Sequence, residues 1–166
     1  MSRGAAAAPA IYSIDSSSLM DWQARYYPSD VFPGVQRRLE SLVTTGRLLA
    51  AALVREEISK VGPPNLQDWL KANPGVIVPL SETLAEARTI QSRFAGLLDP
   101  KAEFEEADAY VIALARLRGA VVVTQETTAA EKRNPKRTHY IPDVCRELGI
   151  GCIAFLGLLR REGWTF

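Results

Sequence analysis

The sequence predicts an α/β fold: a three-layer α/β/α sandwich built on a central parallel sheet of four to five strands. Two observations predict it. Short apolar runs alternate with amphipathic stretches along the whole chain, with turn residues at most of the changeovers. The runs are uninterrupted rather than alternating apolar and polar, the pattern of strands covered on both faces. Strands separated by helices pair in parallel and carry helices on both sides of the sheet.

The elements follow in order. Residues 10–15 are apolar, β-branched and aromatic and end in an acid, which reads as a buried first strand. Ser16, Ser17 and Ser18 offer helix caps, and Leu19, Met20 and Trp22 begin a helical pattern. Pro28 and Pro33 break the chain before an amphipathic helix over 35–43 that Gly46 closes. Residues 47–51 form a second strand, and 52–60 a helix stopped by Gly62, Pro63 and Pro64. A short helix over 66–72 puts Trp69 and Leu70 on its apolar side. A third strand over 76–80 leads into a helix over 81–98 with Ser81 as its N-cap. Residues 107–118 give a further helix, with Val111, Leu114, Ala115 and Arg118 on a shared side. Gly119 ends it, and 120–124 are the clearest strand in the chain. After a polar loop containing Pro135 come a helix following Pro142, a strand over 151–154 and a closing helix over 156–162. A small-residue, flexible tail over 1–9 is expected to precede one domain over 10–166, with no repeat and no internal linker.

Composition narrows the function classes. The chain has 166 residues, 47% hydrophobic and 23% charged, enough for one packed core. A net charge of +1 means that any attraction to phosphate must come from local clustering of Lys and Arg. Cys145 and Cys152 lack zinc-site spacing and read as reduced core thiols, and a single histidine, His139, argues against triad hydrolases. No segment approaches the ~20 apolar residues of a membrane span, and four alanines fall short of a secretory core. The expectation is a cytoplasmic protein without a membrane partner.

Acids gather where strands end. Asp15 closes the first strand, Glu126 lies just past the strand over 120–124, and Asp108 begins the helix leading into that strand. Glu56 and Glu57 ride the helix after the second strand. In an open parallel sheet these regions converge on one edge. Carboxylate oxygens suit Mg²⁺ and Mn²⁺, which phosphoryl chemistry uses to polarise phosphate and activate water. Each acid also has a structural reading: Asp15 as a helix cap, Asp108 with Glu105 and Glu106 as negative charge at a helix N-terminus, Glu126 as a loop residue. Glu56 and Glu57 are adjacent and cannot share a helix face. A haloacid-dehalogenase-type phosphatase would need a second acid two residues after Asp15, where Ser17 stands.

The string Ile14-Asp15-Ser16-Ser17-Ser18-Leu19-Met20 resembles the opening of PIN-domain ribonucleases. The long stretch over 107–126, with Asp108 opening a helix, Gly119-Ala120 entering a strand and Thr124-Gln125-Glu126 ending it, is similar to that family's central motif. Val54-Arg55-Glu56-Glu57-Ile58 is similar to the helix supplying its second acid, and the three segments in register cover nearly the whole chain. Ile141-Pro142-Asp143-Val144-Cys145 and the tail Gly163-Trp164-Thr165-Phe166 resemble a toxin-like subgroup of uncharacterised PIN-like proteins. The resemblance implies metal binding and catalysis by Asp15, Glu57, Asp108 and Glu126, with Ser17 and Thr124 in support. Glu57 is preferred over Glu56 because the family's acid is usually followed by Leu or Ile, here Ile58. It further implies an endoribonuclease with Mg²⁺ or Mn²⁺ that leaves a 5′ phosphate. The expected setting is a homodimer, acting as the toxin of a type II toxin–antitoxin pair with a small antitoxin protein as partner. Where the family has Thr-Asn-Asp this chain has Thr124-Gln125-Glu126, a carboxylate one methylene longer. A PIN-like module that binds RNA or protein without cleaving is the alternative this departure keeps open.

The loop over 131–140 gathers Lys132, Arg133, Lys136 and Arg137, the expected RNA-binding cations, with Tyr140 available to stack on a base. A solvated charged loop is the plainer reading. Trp22, Tyr26 and Tyr27 read as core or dimer face rather than as a base-stacking platform, and Trp69 and Trp164 as core.

Overall fold

The computed structural model describes residues 7–166. Most of the expected tail, residues 1–6, lies outside them, and residues 7–9 are exposed and carry no regular structure. Five strands, β1 (Tyr12–Ile14), β2 (Leu48–Ala51), β3 (Ile77–Val78), β4 (Val121–Val123) and β5 (Cys152–Ile153), form one sheet in the order β3-β2-β1-β4-β5. Every pairing is parallel, with Ser13 opposite both Leu49 and Val122. Eight α-helices connect and cover it: α1 (Ser16–Asp21), α2 (Pro33–Thr44), α3 (Ala52–Val61), α4 (Pro64–Ala72), α5 (Leu80–Arg93), α6 (Asp108–Arg118), α7 (Ile141–Leu148) and α8 (Phe155–Arg161). The arrangement is the three-layer α/β/α sandwich the apolar runs predict.

The order of strands reverses direction between β1 and β4, so the crevice beyond their carboxyl ends is the natural ligand position of this topology. α6 leads into β4 from the opposite direction, and its first residue, Asp108, therefore sits at that same edge. The helix is buried all round from Ala109 to Ala115, not along a single stripe as expected. Arg118 turns out to the surface and pairs with Glu82 at 2.7 Å. Ser13 Oγ, fully buried on β1, donates to the Val111 carbonyl of α6 at 2.8 Å and fixes the height of helix against strand. At the opposite edge, the Tyr12 hydroxyl and Arg47 both donate to Glu162 Oε2 at 2.7 Å.

Three expectations are corrected. α5 begins at Leu80 after Pro79, and no side chain caps it, so Ser81 is not the cap. It ends at Arg93, and a 3₁₀ turn over Ala95–Leu97 takes the place of its expected last turn. The third strand is only Ile77–Val78, because Pro74–Val76 close a 3₁₀ turn before it. Trp22 is fully buried and stacks edge-on with Trp69 at 5.1 Å, a core reading. It opens a π-helical turn to Tyr26, whose ring is half exposed.

Gly119 closes α6 at φ 62°, in left-handed space with nothing near its absent Cβ. Gly119→Ala should therefore lower stability by about 1–2 kcal/mol through backbone strain alone. A denaturant melt with an unchanged slope would show it, and a wild-type midpoint would mean the turn relaxes freely.

Candidate active site

Asp15 is the centre of the carboxyl edge. Its backbone N–H donates to the Val123 carbonyl at 2.9 Å, continuing the β1–β4 pairing and delivering a buried carboxylate to the switch point. Oδ1 accepts from the Ser16 amide at 2.8 Å, and Oδ2 accepts from Ser17 Oγ at 2.7 Å and Thr124 Oγ1 at 2.9 Å. The capping reading is realised, since Oδ1 starts α1, and Oδ2 is steered by two hydroxyls. Ser17 Oγ also accepts the Gln125 amide and Thr124 Oγ1 accepts the Glu126 amide, both at 3.1 Å, so these side chains tie the post-β4 turn to Asp15.

The other acids reach the same edge from separate elements. Glu57, half-buried on α3, accepts the Ala107 N–H at the start of α6 at 3.1 Å and the Ser16 hydroxyl at 3.5 Å. Burial, then the charge of Asp15, pushes its carboxyl up to about 7. Glu56, its neighbour, is exposed and faces a groove between α3, α4 and β3. Asp108 is held well above the usual carboxylate range by burial and by the charges of Glu126 and Asp15, with Arg137 opposing them. Glu126 accepts the Ile141 N–H at 3.1 Å and is likewise raised, by burial and by Asp15. A cleft of about 230 Å³ opens beside Glu126, between Thr124–Thr128, Pro142 and Cys152–Ala154.

Among the described residues no group of three or more Asp, Glu, His or Cys side chains is arranged so as to hold a metal ion. The four carboxylates share an edge and the charge of Asp15 acts on the other three, yet most of their oxygens are taken up by protein donors. The donor set is nevertheless all carboxylate, and burial together with a neighbouring acid raises Glu57, Asp108 and Glu126, a cost that a divalent cation would relieve. In donor chemistry, though not in present arrangement, the residues suit a hard divalent ion.

Arg137 is placed differently from the rest of its loop. Lys132 packs its ammonium 4.3 Å over the Tyr140 ring, and Arg133 and Lys136 are exposed. The Arg137 guanidinium is turned inward, 2.9 Å from Asp108 Oδ2 and 3.6 Å from both Glu106 and Glu126. Tyr140 is buried, covered by Lys132 and Arg137, so it is not a free stacking platform. Composition alone gave no sign that one cation of four would enter the acid cluster, nor that Ser16, Glu106 and the Ala107 amide would contact it. Glu106 and Ala107 stand directly before Asp108, and that adjacency was the available signal.

A carboxyl raised from 4.5 to about 7 in the folded chain binds its proton more tightly there than when unfolded. In chelator, stability should therefore fall as pH rises from 4.5 to 7 and level off above, by on the order of 1–3 kcal/mol for Glu57. The difference between wild-type and Glu57→Gln melts across that window isolates the group. Parallel curves would mean that Glu57 keeps ordinary solvation.

No curated protein matches the chain. Residues 12–166 match a family described as a domain of unknown function, DUF4411, and that match runs from β1 through the acid-bearing edge to the last residue. Covering nearly all of the chain, it shows that this protein belongs to the DUF4411 family.

Proposed function

We propose that this protein is a divalent-metal-dependent endoribonuclease of the PIN-like type. The observation that carries the reading is the meeting of Asp15, Glu57, Asp108 and Glu126, from four separate elements, at the carboxyl edge beside the β1–β4 switch point. Those four side chains would hold the Mg²⁺ or Mn²⁺. A cation bound there supplies Lewis acidity toward a phosphodiester and a lowered pKa for the attacking water.

The chain's own residues do the rest. Ser17 and Thr124 orient Asp15 Oδ2 and, through the backbone of Gln125 and Glu126, set the height of the fourth acid. Lys132, Arg133 and Lys136 belong to the loop that sends Arg137 to the acids and would give sequence-independent hold on an RNA backbone. The biological setting proposed with this chemistry is a cytoplasmic toxin restrained by a small antitoxin protein and acting as a homodimer. Among the described residues no helix is long and apolar enough to cross a membrane. An RNA- or protein-binding module without catalysis is the second reading, favoured by Arg137 lying against Asp108 and Glu126.

Asp15→Asn keeps Oδ1 for the Ser16 amide, and the two hydroxyls can turn to accept from the new amide, so the fold should hold. RNA cleavage with excess Mg²⁺ or Mn²⁺ should fall more than about a hundredfold, as should that of Asp108→Asn. Full activity in both variants, or a wild type inert with each metal, rejects the nuclease reading and leaves the binding module. Replacing Lys132, Arg133 and Lys136 by Ala should weaken RNA binding and reduce its salt slope by up to about 2–3. An unchanged slope would send the RNA across another face.

A further inference from the structure

Arg137 is the one cation of its loop that is turned inward, and its partners fall into two groups. Nη1 donates to Asp108 Oδ2 at 2.9 Å, with Glu106 and Glu126 each 3.6 Å from the guanidinium. Nη1 also donates to the Leu97 carbonyl at 2.9 Å, and the guanidinium carbon lies 4.7 Å over the Tyr140 ring. The first group is the acid cluster. The second is neutral and would hold the guanidinium whether or not the acids were free. The backbone beneath is fastened separately, with the His139 amide donating to Gly96 at 3.3 Å. A change of partner at the acids thus needs only a pivot of one side chain on a fixed base.

Three acidic groups around one half-buried guanidinium leave an excess of negative charge that Arg137 offsets only in part. A divalent ion bound through Asp108 would compete for the same oxygen, and two cations do not share it without repulsion. Once displaced, the planar fork of Arg137 remains beside the acid edge, still held by the Leu97 carbonyl through Nη1 but with the donors that faced the acids freed. Two parallel N–H donors match the non-bridging oxygens of a phosphodiester, which a lysine ammonium does not.

We propose that Arg137 is a positioning residue that serves as the acid cluster's internal counter-cation and, when a divalent ion takes Asp108, passes to a backbone phosphate of the nucleic acid. Ion and phosphate then bind cooperatively, because the first frees the residue that grips the second. By linkage, the phosphate must tighten ion binding by the same factor. The proposal rests on the metal-dependent nuclease reading given above.

The test is calorimetric titration of Mn²⁺ into wild type, Arg137→Gln, Arg137→Lys and Asp108→Asn, with thermal melts in chelator. Glutamine keeps a donor for the Leu97 carbonyl and removes the charge. Arg137→Gln should bind Mn²⁺ roughly five- to fiftyfold more tightly than wild type while melting lower in chelator. A merely structural arginine would weaken both. Binding of a short phosphorothioate oligonucleotide should tighten with Mn²⁺ in wild type and lose that gain in both Arg137→Gln and Arg137→Lys. Should Arg137→Gln not fold, the lysine variant decides, since it keeps the charge but loses the fork. Equal or weaker Mn²⁺ affinity in folded Arg137→Gln, or an undiminished gain in Arg137→Lys, overturns the proposal. If wild type binds Mn²⁺ and Asp108→Asn does not, that failure belongs to Arg137 alone. If wild type binds none, the metal reading fails and the proposal with it.

Discussion

Like charges confined at one edge are what the surroundings of this site answer to. A parallel sheet sends the carboxyl ends of all its strands to the same side, and the chain places acids on three of the segments that arrive there and on the helix that starts there. Each carboxylate loses water and gains an anionic neighbour. The compensation is distributed: hydroxyls of Ser17 and Thr124 for Asp15, the Ala107 amide for Glu57, the Ile141 amide for Glu126, and Arg137 for Asp108. The Ser13 bond to Val111 matters for the same reason, since it sets where α6, and so Asp108, meets the edge.

The segment after β4 shows how a changed motif can keep its scaffold. Gln125 Oε1 accepts the Phe155 amide at the start of α8 at 2.8 Å, and Glu126 Oε2 accepts the Ile141 amide at the start of α7. The extra methylene of each side chain is spent in reaching a helix start. The second oxygen of Glu126 faces Arg137, so the longer acid still belongs to the cluster.

Much of the fold was legible because strand and helix signals here are local. An apolar run such as Val121-Val122-Val123 after Gly119, or a proline pair after α3, states its structure without help from the rest of the chain. The ends of α5 were not legible, since Pro79 and Phe94 stand at its caps while Ser81 offered a cap that the backbone does not use. At the site, sequence order put Asp15, Asp108, Glu57 and Glu126 on one edge. It could not tell Arg137 from Arg133, because both are basic residues in a polar loop. What separates them is a partner forty positions away, the Leu97 carbonyl.

The close approach of Gly96 to the basic loop carries this further. A Cβ at Gly96 would run into Thr138 and press on His139 at 3.1 Å, one and two residues beyond Arg137. A turn that touches none of the four acids thus sets the clearance for the segment that balances their charge. A side chain there would have to displace that of Thr138 and press on the loop that carries the counter-ion of Asp108. Substitutions in the Ala95–Leu97 turn and in the loop over 137–139 should therefore be accepted or refused jointly, as one mutational unit, although neither segment contains a carboxylate.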